Sequence, residues 1–336
     1  MRMAKHATVL QNLSRLQARS LVGVPSAIMA AIPSPTDPTK EQPQLSRSFS
    51  TATTSDYRAL FLHSTPMMDV RAPIEFTHGA LPSARSLPLM SDDERAQVGT
   101  CFKQHGQAAA VTLGHALVQG DSKAHRVVGW KAFALQHPRG VLYCARGGLR
   151  SHTVQQWLRE ETGLEYPLVA GGYKAMRRFL LEELERSVAS ASFVLISGKT
   201  GTGKTRAIKE LAAHSVDLEG LANHRGSSFG QMPTPQPSQA DFENEMSIAM
   251  LRLLATTPET KSSHRTRMLF LEDEGRLIGK MSVPMSLRAK MATAPMAVVE
   301  VCFYLPLHFK RILLTILTCP PHIILTFKNR GQGTPE

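Results

Sequence analysis

Residues 193–205 read Phe-Val-Leu-Ile-Ser-Gly-Lys-Thr-Gly-Thr-Gly-Lys-Thr. Four apolar residues and a serine followed by G-x-x-x-x-G-K-T leave few architectures open. The run is short and β-branched enough for a buried strand, and the glycines let the next amides turn toward a phosphate. The residues from Lys204 onward then start a helix whose N-terminus adds positive potential. Gly198, Lys199, Thr200, Gly201, Thr202, Gly203, Lys204 and Thr205 are therefore the candidate phosphate-binding residues. Lys204 is placed to reach the terminal phosphates, and Thr205 to offer its hydroxyl to Mg²⁺ if a metal is used. Glu272 or Asp273, after the apolar run 268–271, and Asp217, in Val216-Asp217-Leu218-Glu219, are candidate acids for such a metal. The pattern asks for a di- or triphosphate and does not specify a nucleotide.

Elsewhere strand-like and helix-like stretches alternate. Short apolar runs at 66–70, 140–143 and 167–169 are separated by helical patterns over 91–126, 151–161 and 173–188. Alternation of this kind predicts parallel α/β sheets in both halves of the chain. In the 151–161 helix, Val154, Trp157 and Leu158 form the apolar face and Ser151 is placed to cap the start. At 336 residues the chain is long enough for two cores. The net charge of +12 includes +4 on residues 1–50 and +3 on residues 301–336, so the middle carries only +5. That balance favours an anionic partner only weakly. No uncharged apolar run reaches the length of a membrane span. The four cysteines, at 101, 144, 302 and 319, lack metal-site spacing and read as free thiols.

Residues 143–151, Tyr-Cys-Ala-Arg-Gly-Gly-Leu-Arg-Ser, form the second motif. Cys144 ends an apolar run and precedes a helix, where loop amides converge and a helix dipole adds positive potential. Arg146 and Arg150 contribute fixed charge, and Gly147 and Gly148 are expected to take positive φ. Together these features predict a thiol pKa below the free value of about 8.5 and a reactive thiolate at Cys144. The Cys-x5-Arg spacing is also that of cysteine phosphatases, although Tyr143 stands where those enzymes usually carry His. Cys101 has no glycine cradle behind it and reads as a packing residue.

The loop, with Asp69-Val70-Arg71-Ala72-Pro73-Ile74-Glu75-Phe76, His78-Gly79-Ala80-Leu81-Pro82 and Gly171-Gly172-Tyr173-Lys174-Ala175, resembles the rhodanese family. The blocks 216–230, 236–239 with 242–244, 271–274 with 278–279, and 98–104 are similar to the tRNA 2-selenouridine synthase family over about residues 56–300. That resemblance implies an α/β chain with a rhodanese-like parallel-sheet domain at 56–178 and a connecting helix at 179–191. A P-loop NTPase-like α/β domain follows at 192–300. It further implies a selenotransferase that replaces the sulfur of wobble 2-thiouridine in tRNA by selenium. Selenophosphate and geranyl diphosphate are the implied co-substrates, an S-geranylated nucleoside is the intermediate, and no cofactor is tightly bound. In this chain Cys144 matches the chalcogen-carrying cysteine. Arg146, Gly147, Gly148 and Arg150 would hold the anionic head of selenophosphate, and residues 198–205 would hold the geranyl diphosphate or a tRNA phosphate. Lys174, Arg177 and Arg178 cluster on one helix and could contact tRNA backbone. A rhodanese-type sulfurtransferase with a nucleotide-binding regulatory domain is the alternative, and a non-catalytic binding protein is a third reading.

Both ends depart from the resemblance. Residues 1–36 hold Arg2, Lys5, Arg15 and Arg19 with no acid, and leucines recur at helical spacing. This describes a transit segment for a mitochondrion or plastid, with residues 1–55 disordered; without a working address the chain is expected in the cytoplasm. Residues 301–336 are apolar, basic and broken by Pro306, Pro320 and Pro321. They read as a truncated or altered C-terminus, with a membrane-surface segment as the alternative.

Overall fold

The computed structural model describes residues 53–199, 201–226, 230–256, 267–301, 311–317 and 323–328. Residues 1–52 of the proposed leader therefore lie outside the described residues, as do Cys302, Cys319 and Thr200, whereas Thr53 and Thr54, expected to be disordered, pair with Leu168 and Val169 as an edge strand.

The first half begins with β1 (Thr53–Thr54), α1 (Tyr57–Leu62), β2 (Met67–Asp69), α2 (Pro73–Thr77) and β3 (Ala84–Ser86). It continues through α3 (Asp92–Leu117), α4 (Gly120–Gln136), β4 (Val141–Tyr143), α5 (Leu149–Thr162), β5 (Leu168–Val169) and α6 (Gly172–Ser190). The five strands form one sheet in the order β1-β5-β4-β2-β3, with every pair parallel. β2 and β4 are buried on both faces, as central parallel strands must be. Ser91 caps α3: it accepts from the Glu94 amide, and the Glu94 carboxylate accepts from the Ser91 amide. The helix kinks where Gly106 takes φ 81°. Trp130, Phe133, Val154, Trp157 and Leu158 from α4 and α5 fill the core on one side of the sheet.

The second half contains β6 (Ala191–Ser197), α7 (Lys204–Glu210), β7 (Ser215–Val216), α8 (Leu218–Leu221) and α9 (Gln239–Thr256). Beyond these come β8 (Arg267–Glu272), β9 (Leu277–Ile278), β10 (Met281–Ser282), α10 (Met285–Met291), β11 (Met296–Val301), β12 (Arg311–Leu317) and β13 (Ile323–Lys328). The main sheet runs β13-β12-β11-β6-β8-β7. β11, β6, β8 and β7 are parallel, as the alternation of strands and helices predicts. β12 and β13 extend the sheet antiparallel, so the expectation of a wholly parallel sheet does not hold there. The sequence of 301–336 carries no strand–helix alternation of the kind that sets parallel pairing.

Helices α6 and α9 fasten the halves together. Leu184 and Val188 of α6 and Phe242, Met246 and Met250 of α9 sit in the second core. Met176 and Leu180 of α6 and Ile248 and Leu251 of α9 sit in the first. Each buried side chain contributes roughly 1.5–3 kcal/mol, so the same two helices stabilise both sheets. α6 runs directly into β6, which leads to the phosphate loop. Among the described residues no helix is long and apolar enough to cross a membrane.

Candidate active site

Cys144 follows β4, and the chain then turns through Gly147, at φ 64°, to start α5. A Cβ at Gly147 would lie 2.7 Å from the Gly171 amide nitrogen, so the loop requires glycine there. Gly148 differs from expectation: its φ is −102° and it serves as the N-cap of α5. Ser151 differs too. The helix begins at Leu149, which places Ser151 in the first turn rather than at the cap. There its hydroxyl donates to the Gly148 carbonyl at 2.9 Å and lies 3.3 Å from Cys144 Sγ.

Cys144 is 3% exposed, so the thiol lies beneath its loop rather than open on it. Burial pushes its pKa up, but the Ser151 hydroxyl, the amides of Arg146 and Ser151 and the Arg150 charge bring it below the ordinary value. The loop is held from behind by the start of α6. The Tyr173 amide donates to the Cys144 carbonyl at 2.9 Å and the Lys174 amide to the Ala145 carbonyl at 3.0 Å. Gly172, at φ 58°, permits this approach, because a Cβ there would be 2.2 Å from the Cys144 carbonyl oxygen.

The two loop arginines part company. Arg150 is taken by Glu75, with contacts of 2.5 and 3.1 Å, and Arg95 adds a 3.3 Å contact to the same carboxylate. Burial raises the Glu75 pKa, and the Arg150 pair more than reverses it. Arg150 thus gives its fork to a neighbouring acid in this structure, and its charge acts on Cys144. Arg146 faces a cleft of about 380 Å³ whose walls include Arg71, His78, Tyr173, Lys174 and Arg177, with Ala240 from the second half. Arg71 is buried, paired to Asp69 at 2.6 Å, donates to the Gly79 carbonyl at 2.8 Å, and lies 3.9 Å over the Tyr173 ring. Asp69, Arg71, Glu75 and Tyr173 lay inside the motifs legible in the sequence, but only the fold reveals their pairing.

The phosphate loop follows β6. Gly198, Gly201 and Gly203 have φ of 146°, 84° and 96°, and Lys204 opens α7. Lys204 Nζ donates to the Gly198 carbonyl at 2.6 Å, Thr202 donates to the Lys199 carbonyl at 2.8 Å, and Thr205 Oγ1 lies 3.4 Å from Glu219 Oε2. Glu272 ends β8, 1% exposed, and accepts from the Glu219 amide at 3.0 Å. Burial, with Asp217 and Glu219 nearby, lifts its pKa to about 8. Asp273 accepts from Ser197 at 2.7 Å, and Asp217 caps α8 through the Gly220 amide. The cysteine loop is held by the start of α6 and the phosphate loop follows the end of β6, so the α6–β6 segment joins the two in sequence. Among the described residues no group of three or more His, Cys, Asp or Glu side chains is arranged to hold a metal.

A family model described as the tRNA 2-selenouridine synthase AAA domain matches residues 191–305. The tRNA 2-selenouridine synthase of Marinobacter nauticus is 54% identical over 248 residues, covering 74% of this chain and 65% of that protein. The one from Azotobacter vinelandii is 53% identical over 252 residues, covering 75% and 66%. A solved N-terminal domain of an ATP/GTP binding protein from Clostridium difficile 630 shares 30% identity and covers 39% of this chain and 99% of its own, at a TM-score of 0.34, too low to speak to the fold. The chain spans about 65% of the length of the Marinobacter relative. By sequence, this chain is a homologue of the tRNA 2-selenouridine synthases.

Proposed function

We propose that the chain replaces the sulfur of a tRNA 2-thiouridine by selenium. The observation that carries this reading is Cys144, a thiol whose surroundings favour the thiolate, in one frame with a phosphate loop. The implied reaction has two stages. In the first, the nucleoside sulfur attacks C1 of geranyl diphosphate, pyrophosphate leaves and the N3 proton is lost. In the second, selenium bonds to C2 as the C2–S bond breaks and geranylthiol departs. The 198–205 loop suits the diphosphate of the first stage, with Lys204 at its terminal phosphate. The Thr205 hydroxyl beside Glu219 fits Mg²⁺ as a partial, oxygen-only donor set, the usual arrangement where phosphate oxygens and waters complete the shell.

Cys144 is the selenium carrier in this reading, and the phosphorus product tests that role. If the thiolate takes selenium, an S–Se bond forms as the P–Se bond breaks. The electron pair then stays on phosphorus and phosphite is released. After the carried selenium attacks C2, a second thiol must cleave the Se–S bond. If instead the donor's selenium attacks C2 directly and water then cleaves P–Se, phosphate is released. The experiment incubates the protein with thiolated tRNA, geranyl diphosphate, selenophosphate and a thiol, and analyses nucleosides and phosphorus products. Selenouridine with phosphite supports the whole reading, and selenouridine with phosphate supports the reaction and removes the carrier role. Thiocyanate formation from thiosulfate and cyanide without nucleoside conversion would favour a sulfurtransferase. The arginine-bearing, acid-poor start of the chain supports a mitochondrial or plastid address, testable by fusing residues 1–52 to a fluorescent reporter.

A further inference from the structure

The cleft beside the cysteine loop has an unusual wall. Arg146 comes from the loop itself, Lys174 and Arg177 from the first turns of α6, and Ala240 from α9 of the second half. The cations differ in what they already hold. Arg71 is committed to Asp69 and the Gly79 carbonyl. Arg177 donates to Asn244 at 2.9 Å and pairs with Glu243. Arg146 and Lys174 have no carboxylate partner among the described residues. Their backbones are nonetheless fixed to one another, because the Lys174 amide donates to the Ala145 carbonyl, next to Arg146. The first amides of α6 are used in holding the loop, so an anion here must be met by side chains.

We propose that Arg146 and Lys174 form a phosphate-recognition site at the junction of the two halves, beside the loop that carries Cys144. The phosphate belongs either to the backbone of the RNA carrying the target nucleoside or to the selenium donor. This assignment rests on the proposed reaction for its ligand, and it deepens that reading by giving the phosphate a place. Two unspent cations on adjoining, mutually bonded segments suit a tetrahedral oxyanion, and the volume is of ligand size. Arg71, locked behind Tyr173, supplies background charge without leaving its own partners.

The test uses the full chain with Arg146→Glu, Lys174→Glu and the double variant. Binding of a tRNA anticodon stem-loop is measured against salt without turnover, and the selenophosphate dependence of conversion is measured separately. If the phosphate is RNA backbone, each variant weakens stem-loop binding about tenfold and flattens the slope of log affinity against log salt by about 0.7–0.9. The donor KM then stays unchanged. If the phosphate is the donor's, KM for selenophosphate rises at least tenfold and the salt slope stays as in the parent. Parent-like RNA binding and donor KM in the double variant, with its thermal midpoint retained, would overturn the proposal. A parent protein that binds the stem-loop but converts nothing would sink the proposed reaction while leaving the binding result to stand or fall alone.

Discussion

The Asp241 carboxylate accepts the backbone N–H of Ala80 at 2.5 Å, although 161 residues separate them. One turn further along α9, Asn244 Nδ2 donates to the carbonyl of the same residue at 2.7 Å. Both polar groups of a first-half residue are thus satisfied by the second half. The neighbouring Gly79 carbonyl receives Arg71, so this grip lies one residue from the wall of the cleft.

Replacing both Asp241 and Asn244 by Ala leaves a partly buried residue without partners, at a cost of about 1–3 kcal/mol for each lost bond. Both tryptophans, Trp130 and Trp157, lie in the first half. Their fluorescence should therefore report unfolding at a different denaturant concentration from far-UV circular dichroism in the double variant. A single coincident transition shifted by less than 1 kcal/mol would show that apolar packing of α6 on α9 suffices alone.

Ser151→Ala removes the hydroxyl 3.3 Å from Cys144 Sγ. The thiol pKa, lowered in the parent, should move upward. The alkaline rise of thiolate absorbance at 240 nm, and of any Cys144-dependent rate, should then occur at higher pH. An unchanged titration would mean that the amides and the Arg150 charge set the value by themselves.

Gly172→Ala places a methyl group 2.2 Å from the Cys144 carbonyl oxygen and 2.6 Å from the Gly147 nitrogen, at φ 58°. The loop must shift, with a loss of about 1–3 kcal/mol in stability. Selenium incorporation should fall by far more than geranylation, because the added methyl meets Cys144, Arg146 and Gly147 and no residue of the phosphate loop. Equal losses of both steps would tie the two loops together.

Glu272 makes the second half sensitive to pH. Its folded pKa of about 8 stands above the ordinary 4.5, so the folded chain holds the proton more tightly than the unfolded one. Its contribution favours the native state below about pH 4.5 and is lost as pH rises toward 8. The thermal midpoint should therefore decline across that window. Glu272→Gln, which keeps a neutral side chain throughout, should flatten the decline.

Lys204→Ala removes the ammonium that donates to the Gly198 carbonyl at the mouth of the phosphate loop. Geranylated nucleoside should disappear from the products while the Cys144 titration stays unchanged. Retention of geranylation would remove residues 198–205 from the diphosphate role.

Short local signals survived translation into structure. The run 193–196 lies within β6, and the glycines at 198, 201 and 203 take the positive φ that a phosphate loop demands. The apolar run before Cys144 became β4 within a residue of its expected start. What escaped was pairing at a distance. Nothing local to Arg150 points to Glu75, 75 residues earlier, because a charged side chain announces its sign and not its partner. The position of Ser151 depended on where α5 starts, and helix ends are set by caps that shift by a residue or two. The burial of Cys144 follows from its place in a core shared with Met68, Trp130 and Val154, segments that only the fold brings together.

The α6 helix is a single rod of 19 residues, about 28 Å long. Its first amides grip one reactive loop, and its last residue passes directly into the strand that carries the other. Because α6 packs along α9 in both cores, and α9 also borders the cleft through Ala240, a shift of this one rod would be felt in both sheets at once.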